Sequence, residues 1–170
     1  MREKLKVALA DFLDYIRFLV PFKTAIFKIK TISSTDELNK FMQQQSAYIS
    51  QATLFGYLKT RIGSRYVSHF NDEKFLASVN MAKVEIYLAA LEDFALYVTS
   101  YMSTERSIYI KGSMEDMFLN MISEDENLKL NNDRKIKAHE HFKIRLNSMD
   151  MEKFYLNEPF KNSSETLYRF

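Results

Sequence analysis

The side chains with the types to do chemistry are few, and their spacing decides what they can do. His139-Glu140-His141 is the one local cluster of His and Glu. Metal ligation from a single helix needs partners three or four residues apart, so that both face the same way. His139 and His141 are two apart, and on a helix they diverge by about 200°. Neither H-E-x-x-H nor a pair of Glu-x-x-His motifs occurs, so the zincin and di-iron patterns are missing. The expectation is a solvated or half-buried His pair with no metal. The chain has no Cys, which removes disulfides, thiolate zinc sites, iron–sulfur clusters and thiol catalysis together. There is no G-x-S-x-G, and 3 Gly in 170 residues leave little from which to build a phosphate-cradling loop. No catalytic residue, cofactor motif or small-molecule substrate is identified.

Glu85, Glu92 and Asp93 are the remaining candidates for acid–base work. They sit in the most apolar stretch of the chain, where paired carboxylates in a dry site can move protons or hold metal. Glu85 and Glu92 are two helical turns apart, roughly 10 Å along the axis, so a common site needs help from other helices. The plainer alternative places them on a solvent strip, or pairs them with Lys83, Arg61 or Arg65.

The sequence Ile49-Ser50-Gln51-Ala52-Thr53-Leu54, followed by Tyr57-Leu58-Lys59-Thr60-Arg61, resembles the turn and recognition helix of a helix-turn-helix DNA binder. The resemblance covers residues 47–61. It implies that Ser50 caps the second helix and that Gln51, Ala52 and Phe55 face the groove or the partner helix. Tyr48 stands where that motif has its turn glycine, and Gln44 stands at its small helix-crossing position. The net charge of +2 is low for a protein that neutralises phosphates. The alternative is one continuous helix from Thr35 to Ile62.

That helix is unusual in its own right. Phe41 to Leu58 is 18 residues without one charge, whereas an exposed helix normally carries Lys or Glu on its outer face. Gln44, Ala47, Gln51 and Leu58 occupy the expected outer face. Interface cores are poor in charge and rich in aromatics, which makes Phe41, Tyr48, Phe55 and Tyr57 candidate anchors for a partner. A central bundle helix is the competing reading. Just beyond lie Lys59, Arg61, Ser64 and Arg65 around a Gly-Ser turn. Cations and turn N–H groups of this kind hold a phosphate or carboxylate, or orient a partner.

Charge is also segregated. Residues 115–126 hold five acids and no bases, and residues 129–145 hold six bases and two acids. The two blocks can pair within the fold or steer a partner. The basic, Phe-rich stretch 17–30 has the composition of a peripheral membrane contact or of a core helix. Asp11, Asp14 and Arg17 interrupt the apolar N-terminal region, which reads as neither a secretory signal nor a membrane span. A cytoplasmic location is the default expectation.

The elements that must position these groups are helices. No proline stands between Pro21 and Pro159, and tight hairpin turns need more Gly and Pro than this chain has. A stripe from Leu5 to Val20 predicts a helix over 3–20, ended by Pro21. Ser34 and Glu37 have capping-box spacing for a helix running to Ile62, with Gly63 as its C′ residue. Gly56, inside that helix, reads as a point of close approach. Asn71-Asp72-Glu73 opens a helix over 72–102, whose narrow polar strip is Ser78, Glu85, Glu92 and Thr99. Beyond it, 108–112 reads as a short strand or a turn, and 113–122 as a short helix. Residues 123–133 read as a solvated connection and 133–146 as another helix. The tail, 150–170, either docks or frays.

The fold class expected is all-α: a single-domain bundle of about four to six helices spanning 1–170. An N-terminal helix and connection (1–32) precede a long antiparallel hairpin (33–103), and shorter helices and a tail (104–170) follow. The function expected is a non-catalytic protein–protein interaction module, an adaptor, regulator or small subunit, associating with a partner or with itself through 41–58. The alternatives are a nucleic-acid-binding regulator using 47–61 and an enzyme with a carboxylate site on helix 72–102.

Overall fold

A computed structural model of the protein describes residues 32–125, 128 and 130–169, with Ser64 described in its backbone alone. The expected helix over 3–20, Pro21 and the basic stretch 17–30 lie outside the described residues. All the elements below belong to Thr35–Phe170, one of two units into which the chain divides. They are helices α1 (Thr35–Ile62), α2 (Glu73–Glu105), α3 (Lys111–Glu124), α4 (Asn132–Ser148) and α5 (Lys161–Leu167), with a 3-10 helix over Ser64–Asn71 between α1 and α2. The described residues contain no strand, and 108–110 is an extended link into α3.

α1 runs unbroken through residues 47–61. The turn that a helix-turn-helix requires at Tyr48 is therefore absent, and the resemblance ends at the level of sequence. The helix closes as its chemistry dictates. Gly63 adopts φ +82° and donates its N–H to Lys59 O at 2.9 Å. Few residues with a Cβ take that conformation cheaply.

The buried residues of α1 are Met42, Ser46, Ser50, Leu54 and Leu58, one every four positions. This is the i±4 ridge that packs into a neighbour's groove. The neighbour is α2, and the small Ser46 and Ser50 let it come close. Ser50 Oγ donates to Lys83 O at 2.7 Å, and Ser46 Oγ donates to Met42 O, so neither buried hydroxyl is orphaned. Phe41 meets Phe94, Ser50 meets Lys83, and Leu54 and Leu58 cluster with Val79 and Ala82. Rising numbers on one helix thus meet falling numbers on the other. Leu58 lies in this core rather than on the outer face expected for it.

Asp72 caps α2 by accepting from Lys74 N and Phe75 N, as its place before a long apolar helix predicts. The first three turns of α2 bury one stripe, Val79 and Ala82, and leave Leu76 and Met81 exposed. From Ile86 to Ser100 the helix is buried or half-buried at every position. The main core gathers around this part, with Met114, Phe118, Met121 and Ile122 of α3 and Phe142 and Leu146 of α4. Phe118 and Phe142 stack with ring centroids 4.1 Å apart and no exposed surface.

The connection between α3 and α4, expected to be solvated, puts Leu128 into the core. Nearby, the Tyr87 hydroxyl donates to Asp125 Oδ2 at 3.1 Å. Burial first, and the adjacent carboxylate second, push the Tyr87 phenol well above its ordinary pKa. α4 is capped by Asn131, whose Oδ1 accepts from Arg134 N. The tail docks. Phe160 packs on Phe94 and Tyr97, Tyr155 meets Tyr101, and Ser100 Oγ donates to Met151 O at 2.6 Å.

Candidate functional site

The carboxylates of α2 are gathered into a charged seam against α4. Asp93 has no exposed surface and Glu92 only 4%, so the strip expected to face solvent lies in the core at this level. Arg145 serves both acids. Its Nη1 donates to Glu92 Oε2 at 2.9 Å and its Nη2 to Asp93 Oδ1 at 2.7 Å. The second Asp93 oxygen accepts from the backbone N–H of Ser163 at 2.8 Å, which ties the tail to α2. His141 Nδ1 lies 2.9 Å from Glu92 Oε2, and Arg134 pairs with Glu85. The partners of the three acids are thus Arg134, His141 and Arg145 of α4, not Lys83, Arg61 or Arg65. Two buried charges held this closely are tolerable because hydrogen bonds occupy the remaining lone pairs.

The register of this seam follows from spacing. Glu85 and Glu92 are seven apart, and so are Arg134 and His141. Each acid meets a basic side chain 49 residues further along the chain, so α2 and α4 run in the same direction. The two His diverge as their two-residue spacing predicts. His139 points to α3, with Nε2 3.5 Å from Glu115 Oε1, an ion-pair separation rather than a hydrogen bond. Lys143 joins the same acid at 2.8 Å. That hydrogen bond holds the Glu115 carboxyl below its usual range and raises Lys143. The acidic and basic blocks therefore pair in part through Glu115, while the Arg residues of the basic block turn to α2.

Above the seam, α2, α4 and the tail enclose a cleft of about 310 Å³. Glu85, Glu92, Arg134 and His141 form its charged wall, and Leu88, Ala89 and Ala138 its apolar part. Lys137, Asn162, Thr166 and Arg169 complete the lining. The sequence reading missed Arg134, Lys137, Arg145 and Arg169. The available signal was the matched seven-residue spacing of acids on one helix and bases on another.

The residues singled out as partner anchors lie elsewhere and are not gathered into one site. Phe41 is 39% exposed and packs edge-on against Phe94. Phe55 is half-buried under the 3-10 helix, against Tyr66 and Phe70. Tyr48 is half-buried. Tyr57 is half-buried and carries the Arg61 guanidinium 5.4 Å above its ring. Lys59, Arg61 and Arg65 are exposed, and the side chain of Ser64 lies outside the described set. Gly56 is exposed, and among the described residues nothing lies within 4 Å of where a Cβ would stand, so close approach is tolerated there but not used by them.

Among the described residues, no group of three or more His, Asp or Glu side chains is arranged to hold a metal. Within the same residues, no helix is long and apolar enough to cross a membrane. No family model, no curated protein and no solved structure matches this chain.

Proposed function

We propose that this chain is a non-catalytic protein-binding module, an adaptor, regulator or small subunit, that docks an acidic partner along the outer face of α1. One observation carries the reading. The outer face of α1 from Phe41 to Tyr57 is polar, aromatic and free of charge, and it leads straight into three exposed cations. Gln44, Gln51, Thr53 and Gly56 are exposed along it, beside the half-buried Tyr48 and Tyr57. At its end, Lys59, Arg61 and Arg65 have no carboxylate partner among the described residues. An uncharged strip can be desolvated cheaply, while the cations set orientation and raise the on-rate toward an acidic surface. Tyr57 holds the Arg61 guanidinium over its ring, which reduces the freedom that side chain loses on binding.

The seam between α2 and α4 supports binding over catalysis. Glu85, Glu92 and Asp93 each sit against a cation, and a general base needs its lone pair free to reach a substrate proton.

The test is affinity purification from the native cell, with the wild-type chain and with the Arg61→Ala/Arg65→Ala variant side by side. The reading requires a partner that salt elutes and that the variant fails to retain, at unchanged helical content. Equal retention by both, or light scattering that shows a monomer with no retained partner, overturns it.

A further inference from the structure

The cleft between α2, α4 and the tail has a charge pattern that the docking face does not use. Its acids are already matched. Glu85 has Arg134, and Glu92 has His141 at its rim and Arg145 beneath. Two lining cations remain, Lys137 and Arg169, and neither has a carboxylate partner among the described residues. Both are exposed, so they can swing toward an incoming charge. The lining also has an apolar patch, with Leu88 and Ala89 both buried. The volume of about 310 Å³ is at the lower end of the range for small-molecule sites, roughly 300–1,000 Å³.

We propose that this cleft binds a small organic dianion, a compact apolar body carrying two negative charges, with Lys137 and Arg169 as its counter-charges. Two cations with no carboxylate partner among the described residues match two negative charges. A carboxylate or phosphate oxygen makes shorter and stronger hydrogen bonds to such donors than a neutral group does. The apolar patch shelters the body of the ligand from water and so separates an organic dianion from a free inorganic one. Thr166 donates its own hydroxyl proton to Asn162 O, so the positive charge of Lys137 and Arg169 is what the lining has left to offer an anion. The proposal is independent of the α1 face, since none of these residues belongs to α1.

Two ligand chemistries fit, a phosphate monoester and a dicarboxylate, and calorimetry of the full chain at low ionic strength separates them. The probes are phenyl phosphate, phthalate, inorganic phosphate and benzoate. Saturable binding of phenyl phosphate or phthalate is expected, with benzoate and inorganic phosphate at least tenfold weaker. The tighter of the first two assigns the source of the charge. Lys137→Gln and Arg169→Gln should each weaken that binding by on the order of tenfold, as loss of a charge-assisted hydrogen bond does. Both positions are exposed, so an unchanged melting temperature shows that the fold is intact. Equal affinity for phenyl phosphate and inorganic phosphate overturns the proposal. So does binding that survives both substitutions, and so does the absence of saturable heat for either dianion at millimolar concentration.

Discussion

Arg145 Nη2 donates to Asp93 Oδ1 across 2.7 Å, and the carboxylate it meets has no surface in water. A second nitrogen of the same guanidinium holds Glu92, so one side chain pairs with two neighbouring acids in the central helix. Removing it leaves Asp93 buried without its cation and Glu92 with His141 alone. Breaking such a pair from one side typically costs about 3–5 kcal/mol. Arg145→Met should therefore lower the urea midpoint by that equivalent. Adding Asp93→Asn to it should restore part of the loss, because the stranded charge is then gone. A midpoint for Arg145→Met within experimental error of wild type would show that the seam carries no stability.

Phe118 and Phe142 stack face to face with no exposed surface, and together they join α3 to α4. Phe142→Ala should cost about 3–5 kcal/mol, as truncating a fully buried aromatic does. Phe142→Leu should cost less, since most of the volume remains. Chemical denaturation of the two variants gives the order; equal losses would mean that the stacked ring, rather than the volume it fills, carries the stability.

Two glycines of the same hairpin should answer the same substitution with opposite signs. Gly56 is exposed inside α1 with open space where a Cβ would go, and Gly56→Ala should stabilise by up to about 1 kcal/mol through helix propensity. Gly63 holds φ +82°, where a Cβ is strained, and Gly63→Ala should destabilise by about 1 kcal/mol. Thermal melts of the two variants on either side of wild type are the expected result. Shifts of the same sign would contradict the helix end described at Gly63.

Acid should loosen the contact between α3 and α4. The hydrogen bond from Lys143 holds Glu115 below its usual carboxylate range. A carboxyl lowered in the folded state adds stability that is present above its unfolded pKa, about 4.3, and is lost as the pH falls through the folded value. Wild type and Glu115→Gln should therefore differ most near neutrality and converge below pH 4. A gap that stays constant from pH 7 to pH 3 would remove the ion pair as its cause.

Much of the helical framework was legible because its signals are local. The scarcity of Gly and Pro, the cap at Asp72, and Gly63 after Lys59 and Arg61 each act within one turn of chain. They placed α1, α2 and α4 to within a few residues. The charged seam was hidden for the opposite reason. Glu92 looked like one member of a polar strip, and its burial depends on Arg145, 53 residues away. Periodicity shows which residues share a face; it does not show which partner turns a polar face inward. The 47–61 segment is ambiguous in a related way. Its residue types match a turn and recognition helix, but Tyr48 at the turn position and Gln44 at the helix-crossing position do not, and the continuous helix of the alternative reading forms instead.

The uneven burial of α2 has a consequence for how the molecule opens. Its first three turns rest on one stripe, while the stretch from Ile86 to Ser100 is enclosed. Amide protons near Leu76 and in the adjoining 3-10 helix need only a local parting from α1 to reach solvent. Those around Leu91 and Leu96 must wait for the whole assembly to come apart. Hydrogen exchange along this one helix should therefore grade from fast to slow over five turns, and the protected end is the one that carries Asp93.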